Sequence, residues 1–199
     1  MKKQVLVIHG GDAFATYEEY LSFLRNYEVD LESLKRKGWK EALQEKLGNE
    51  YEVIAPKMPN KSNARYIEWK IWFEKYISFV NDGGILLGHS MGGSFLAKYL
   101  SEEKFPKKIH ATFLVSAPYD IDEDRALVEF VPPDSLSLLE EQGGEVFLYH
   151  SKNDPLVPFG ELEKYQRALP KARVHTFEDR GHFGQEEFSE IIQDLQSLS

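Results

Sequence analysis

The chain has no cysteine among its 199 residues. This absence excludes a disulfide framework and a thiolate metal site, and it is typical of a reducing compartment, so we expect a cytoplasmic protein. Basic residues are fewer than acidic ones, 24 against 33, which gives a formal net charge of −9. The two signs are interspersed, whereas nucleic acid favours clustered Lys and Arg. We therefore expect small molecules or proteins as partners and no nucleic acid.

Long hydrophobic runs and linker-like tracts are also missing. The apolar run 5–8 that follows the basic residues Lys2 and Lys3 is too short for a signal peptide, and it leads directly into a glycine-rich turn. We interpret it as a first strand. No other stretch is long and apolar enough to span a membrane, and no linker divides the chain. The sequence predicts a single domain over residues 1–199 with no membrane association.

What is present is an alternation of short apolar runs with longer amphipathic stretches. This alternation indicates βαβ units and a parallel sheet that is buried on both faces. The predicted strands are 4–9, 51–55, 84–88, 111–116, 145–150 and 173–177. The predicted helices are 39–47, 64–80, 93–103, 133–141, 159–169 and 185–198. The fold class is therefore α/β, with about six mainly parallel strands and helices on both faces.

The second of these helices has a stripe of apolar residues at helical spacing. Its members are Trp69, Trp72, Phe73, Tyr76 and Val80. Such a stripe is typical of core packing rather than of a ligand site. We therefore assign all five to the core.

The most informative motif is Gly88-His89-Ser90-Met91-Gly92, which lies between an apolar run and a helix-like run. A serine at a strand-to-helix turn is typical of a nucleophile elbow, in which both glycines allow the strand and the helix to meet. The pattern alone is moderately specific, and the alternative is a glycine-rich turn with an incidental serine. The strand and helix context favours Ser90 as a nucleophile.

A nucleophilic serine requires an imidazole base and a carboxylate that orients the imidazole. Ligands in such sheets bind beyond the carboxyl ends of the strands, where the chain carries Asp154 and His182. The order Ser90, Asp154, His182 is the one expected for α/β-hydrolases. Asp120, after the fourth predicted strand, is the competing acid. The alternative for Asp154 is a residue that only starts a turn or caps a helix.

Acyl transfer also requires hydrogen-bond donors for the developing oxyanion. The backbone amide of Met91, at a helix start, is one candidate. The amide of Gly11, in the turn after the first strand, is the second, and Asp12 is less favoured. His9 and His89 are interpreted as groups that fix loops, since neither has a carboxylate placed to orient it.

The chain resembles the α/β-hydrolase superfamily over its whole length. A narrower resemblance is carried by Lys57-Met58-Pro59, Ala64-Arg65, Trp69, Gly88-His89-Ser90, Asp154, Gly181-His182-Phe183 and Glu187-Phe188. These motifs are similar to small lidless serine hydrolases of the retinoblastoma-binding-protein 9 and YdeN type. The resemblance implies a three-layer fold without a separate cap domain, and esterase-like activity. It also implies a Ser-Asp-His triad that matches Ser90, Asp154 and His182.

Two segments depart from that family pattern. Residues 12–38 form a longer connection than the family usually carries, and apolar residues recur there at helical spacing, which suggests a partial roof over the site. The acidic stretch 120–133 ends in Val128-Glu129-Phe130-Val131-Pro132 and is a candidate lining for an acyl pocket. The alternative, that both segments pack on the surface away from the site, stays open.

The sequence predicts a serine hydrolase that cleaves small carboxylic esters through an acyl-enzyme on Ser90. A thioesterase or small-amide hydrolase with the same triad is one alternative. A protein-binding module on a hydrolase scaffold is another, although the sequence does not support a particular protein partner. We expect no cofactor and no metal, because no pair of histidines shows metal-ligand spacing.

Overall fold

Six parallel strands form the centre of the molecule. The computed structural model describes residues 2–31, 35, 37–121 and 127–198. Its strands are β1 (Lys3–Ile8), β2 (Tyr51–Ile54), β3 (Gly84–His89), β4 (Ile109–Val115), β5 (Glu145–Ser151) and β6 (Arg173–Phe177). Each begins and ends within two residues of its predicted range, because continuous apolar runs bounded by turn residues mark buried parallel strands.

The strand order is β2-β1-β3-β4-β5-β6. The chain therefore moves outward from β1 in one direction to β2 and in the other direction from β3 onwards. The order reverses between β1 and β3, and the carboxyl ends of the strands at such a reversal form a crevice where ligands bind. The turns after β1 and β3 both open into this crevice.

Helices cover both faces of the sheet in the part of the chain that the structure describes. They are α1 (Tyr17–Asn26), α2 (Trp39–Leu47), α3 (Tyr66–Ile77), α4 (Met91–Glu102), α5 (Ser137–Gln142), α6 (Gly160–Ala168) and α7 (Ser189–Ser197), with a short 3₁₀ turn at Val128–Phe130.

Alternate strand residues point into two separate cores. Leu6 on β1 belongs to the core beneath α3 and α4, whereas the neighbouring Val5 belongs to the core beneath α2 and α7. This is the period-two alternation of a strand with both faces buried. The predicted three-layer α/β architecture is confirmed.

Several details of the helices differ from the prediction. Helix α3 ends at Ile77 rather than Val80, and α5 begins at Ser137 rather than Pro133. The last helix begins at Ser189 rather than Gln185, because the carbonyl of Gln185 instead accepts a hydrogen bond from the amide of Trp39 at 3.1 Å. Trp72 is 37% exposed, so its assignment to the core was wrong. The buried stripe of α3 is Trp69, Phe73 and Ile77, which follow one another every four residues on one helix face, with Trp72 beside it.

The helical spacing within residues 12–38 corresponds to α1. Thr16 and Glu19 form a capping box at its start, in which each side chain accepts a hydrogen bond from the other residue's backbone. Among the described residues, no helix has both the length and the hydropathy needed to cross a membrane. The same residues contain no cluster of His, Asp or Glu able to hold a metal ion.

Candidate active site

Ser90 occupies a sharp turn between β3 and α4, with φ 56° and ψ −130°. This positive φ is a strained conformation for a residue with a side chain. The turn also brings backbone segments very close together. A Cβ on Gly88 would lie 2.4 Å from the carbonyl oxygen of Gly92, and one on Gly92 would lie 2.3 Å from the carbonyl oxygen of Ile8. Both positions therefore require glycine, as the motif predicted.

Asp154 and His182 are hydrogen bonded to each other. The Nδ1 atom of His182 lies 2.8 Å from Oδ2 and 3.1 Å from Oδ1 of Asp154. The side chain of Asp154 is fully buried, and that of His182 is 17% exposed. A carboxylate accepts and does not donate, so the proton of the neutral imidazole is held on Nδ1 and Nε2 is free to act as a base.

Three further donors hold the carboxylate of Asp154. The hydroxyl of Ser116 donates to Oδ2 at 2.5 Å, and the amides of Leu156 and Val157 donate to Oδ1 at 2.8 and 3.0 Å. Burial raises the pKa of Asp154, but the hydrogen bonds from His182 and Ser116 and the charge of protonated His182 outweigh it and hold the pKa at about 2. Asp154 is therefore an anion at neutral pH.

The loops that carry Asp154 and His182 are tied to each other. The side-chain oxygen of Asn153 accepts a hydrogen bond from the amide of Gly181 at 2.8 Å. On the other side of Asp154, Nε2 of His150 is 3.0 Å from the carbonyl oxygen of Val157, to which it donates. The acid and the histidine are thus held by neighbouring, mutually bonded turns after β5 and β6.

The backbone of His182 is held from β3, the strand that precedes Ser90. Nε2 of His89 lies 3.0 Å from the carbonyl oxygen of His182, and Nδ1 of His89 lies 3.2 Å from Nζ of Lys40. Since a carbonyl can only accept, Nε2 carries the proton and Nδ1 accepts from the lysine. Burial and the nearby positive charges hold the pKa of His89 well below its usual value, so it remains neutral.

Helix α2 provides a second support for the same loop. The indole Nε1 of Trp39 donates to the carbonyl oxygen of Phe183 at 2.9 Å in a buried position. Trp39 and Lys40 are adjacent at the start of α2. The helix that follows the 12–38 segment therefore supports the loop around His182 through two successive residues, Trp39 directly and Lys40 through His89.

The turn after β1 lies on the opposite side of Ser90. His9 accepts a hydrogen bond from the amide of Met58 at 2.8 Å, which ties this turn to the chain after β2. The amide of Asp12 donates to the carbonyl oxygen of Lys61 at 2.8 Å, so it is already used. A Cβ on Gly11 would lie 2.5 Å from the same oxygen, which explains the glycine there.

The predicted site residues meet around two adjoining cavities. Ser90, Gly11 and His182 line one of about 260 Å³. Ser90, Gly11 and Met91 line the other, of about 160 Å³. Asp120 is directed elsewhere, because its carboxylate pairs with Lys164. The structure thus brings together the five predicted residues and leaves the competing acid in a surface ion pair.

A family model described as serine hydrolase matches residues 31–194. The chain belongs to the serine hydrolase family. It is 28% identical to the serine hydrolase RBBP9 of Rattus norvegicus over 152 residues, which are 74% of this chain and 78% of the rat protein.

Solved structures with the same fold include the ydeN gene product of B. subtilis. Its TM-score is 0.78 at 20% identity, and the alignment covers 99% of this chain and 98% of that one. A putative YdeN-like hydrolase from Pectobacterium atrosepticum has a TM-score of 0.67 at 14% identity, covering 99% and 90%. The fold is that of a lidless α/β-hydrolase, and the resemblance to the retinoblastoma-binding-protein 9 and YdeN type is confirmed.

Ser116, Trp39 and Lys40 contact the site and were not predicted from the sequence. Ser116 directly follows β4, and the strand-end rule that selected Asp154 applies to it equally. Trp39 and Lys40 carry no such signal. Trp39 reaches the loop around His182 only through its hydrogen bond to Phe183, 144 positions away, and Lys40 reaches it only through His89.

Proposed function

We propose that this serine hydrolase cleaves small carboxylic esters through an acyl-enzyme on Ser90. The observation that carries the proposal is the meeting of a strained serine with the Asp154–His182 pair at one cavity. A cytoplasmic location and a small-molecule substrate belong to the same proposal.

In the proposed reaction, Oγ of Ser90 attacks the ester carbonyl while Nε2 of His182 takes the hydroxyl proton. Asp154 keeps the imidazole in the required tautomer and stabilises the imidazolium. The amides of Met91 and Gly11 donate to the oxyanion, and each such donor contributes roughly 3 kcal/mol to the transition state. His182 then protonates the departing alcohol.

The acyl-enzyme is resolved by the same groups. His182, neutral again after the alcohol leaves, removes a proton from a water molecule that attacks the acyl carbon. Collapse of the second tetrahedral intermediate returns the proton to Ser90 and releases the acid. No cofactor takes part in these steps.

The test uses a fluorophosphonate probe, which reacts with activated serines, together with a panel of p-nitrophenyl esters. We expect one label per chain, located at Ser90 by peptide mapping, and ester turnover that Ser90→Ala lowers by several orders of magnitude. Ser101→Ala, at the far end of the same helix, is the matched control and should behave as wild type. Turnover in Ser90→Ala within tenfold of wild type would refute the assignment.

A further inference from the structure

The two cavities beside Ser90 have different linings. Four residues are shared, namely Gly11, Asp12, Ser90 and Leu156, so the cavities meet at the serine. The smaller one, the acyl cavity, is otherwise lined by Ala13, Phe14, Phe23, Met91, Pro118, Ile121, Leu127 and Val157. The larger one, the polar cavity, is otherwise lined by Gly10, Lys61, Ser62, His89 and His182.

The position of His182 decides which part of a substrate each cavity takes. In the proposed reaction His182 must deliver a proton to the leaving oxygen, so that oxygen has to lie next to the imidazole. His182 lines the polar cavity and is not among the residues of the acyl cavity. The leaving group therefore lies in the polar cavity, and the acyl chain extends into the other.

We infer that the substrate is an ester of a short apolar acyl group with a polar alcohol, and that Phe23 on α1 sets the acyl length. This inference rests on the proposed function. It gives the α1 segment, which we define as residues 13–26, a role in substrate selectivity.

The acyl cavity has the size of a short chain. Its volume of about 160 Å³ equals about five water molecules in the liquid, which is room for a chain of roughly four to six carbons. Phe23 and Phe14 approach it from the α1 segment, with ring centres 5.1 Å apart. Ile121 and Leu127 approach it from the 120–133 stretch. Apart from the shared Asp12 and Ser90, the side chains of this cavity are aromatic and aliphatic, and a polar acyl group placed against them would lose its hydrogen bonds to water.

The polar cavity offers a different environment. Lys61 and Ser62 supply an ammonium group and a hydroxyl, and the same two residues also line a neighbouring cavity together with Asn60, Asn63 and Arg65. An alkyl alcohol would cover these groups without pairing with them, at a cost in free energy. An alcohol with its own oxygens can hydrogen bond to them.

The first experiment measures kcat/KM for p-nitrophenyl esters from acetate to decanoate. We expect a rise of about fourfold per methylene up to butanoate or hexanoate, from the burial of each added group, and a fall of at least tenfold by decanoate. Phe23→Ala should move the optimum to longer chains and raise the octanoate-to-butanoate ratio at least tenfold. Phe23→Trp should move the optimum to shorter chains.

Leu24→Ala is the matched control, because Leu24 is the next residue of α1, is 46% exposed and does not line the cavity. Its profile should equal that of the wild type. Since α1 has no buried residue, none of the three α1 variants should unfold the core. Unchanged chain-length profiles in both Phe23 variants would overturn the role of Phe23.

The second experiment compares the butanoate esters of hexan-1-ol and of diethylene glycol, each alcohol having seven non-hydrogen atoms. Each rate is divided by that of hydroxide hydrolysis, which removes the intrinsic difference in reactivity. We expect the glycol ester to be preferred at least threefold, and an equal or reversed preference would overturn the leaving-group assignment. Failure of the proposed function itself is distinguished by fluorophosphonate labelling. A chain that is not labelled at Ser90 refutes both proposals, whereas a labelled chain with the wrong selectivity refutes only this one.

Discussion

Replacement of Ser116 by alanine tests how the carboxylate of Asp154 is held. The hydroxyl of Ser116 is fully buried and donates to Asp154 at 2.5 Å. A hydrogen bond to a charged group contributes about 1.5–3 kcal/mol to stability, against about 1 kcal/mol for one between neutral groups. Ser94 provides a matched control, because its fully buried hydroxyl donates at the same 2.5 Å to the backbone carbonyl oxygen of Pro118, which is neutral.

At pH 7, Ser116→Ala should therefore cost about 1 kcal/mol more free energy of unfolding than Ser94→Ala. This difference between the stability losses of the two variants should depend on pH. Folding lowers the pKa of Asp154 from 3.8 to about 2, so this group adds about 2 kcal/mol of stability at neutral pH. Because the folded pKa is the lower one, that contribution is complete above about pH 4 to 5 and is lost as the pH falls towards 2. The extra cost of Ser116→Ala should shrink only as the pH approaches 2, where Asp154 becomes protonated in the folded protein as well.

The assay is urea unfolding followed by tryptophan fluorescence, at pH 7 and at pH 2, with the slopes compared to check that both variants unfold like the wild type. Equal costs for the two variants at pH 7 would refute the reasoning. So would a gap between them that is as large at pH 2 as at pH 7, because it would show that the charge of Asp154 is not what Ser116 stabilises.

Two further predictions concern the histidine and its supports. Asp154→Asn should leave the fold intact and lower kcat by about ten-thousandfold, the scale known for loss of a triad aspartate. Asp120→Asn should lower kcat less than tenfold, because that carboxylate pairs with Lys164. The reverse result would place the acid in the loop after β4. Lys40→Met removes the donor to His89, so we expect kcat to fall about tenfold with KM nearly unchanged. Lys46→Met is the control, because it loses only an exposed ion pair with Glu187, and its kinetics should match those of the wild type. Equal kinetics for both lysine variants would show that the contact between Lys40 and His89 does not position His182.

The sheet and the glycine-bounded turn at Ser90 could be predicted from the sequence because their signals are local. Strands buried on both faces are continuous apolar runs, and the paired glycines around Ser90 follow from a turn that leaves no space for a Cβ. His182 and Asp154 were selected because parallel strands place their following turns at one edge of the sheet, and their catalytic roles stay predictions. The prediction of one domain over residues 1–199 stays a prediction.

Other features depend on contacts between distant parts of the chain. The bond from Trp39 to Phe183 spans 144 positions, and no local pattern indicates it. Trp72 was wrongly placed in the core because the spacing of the aromatic residues does not show where the edge of a buried helix face lies. The 12–38 segment does reach the serine cavity through Phe14 and Phe23, but residues 32–34 and 36 lie outside the described part of the chain. Within the other segment, residues 122–126 also lie outside it.

The residues of the candidate site all lie at the carboxyl ends of the strands or at the starts of the helices that follow them. The opposite end of the sheet is therefore available for coupling the protein to a surface or a fluorophore. The turns that contain Gly48 and Gly83 precede β2 and β3 at that end, and a Cβ at either glycine would meet no atom within 4 Å. The chain has no cysteine, so a cysteine placed beside one of these turns would be its only thiol. A surface or fluorophore coupled there would leave the two cavities facing solution, with every molecule attached in the same orientation.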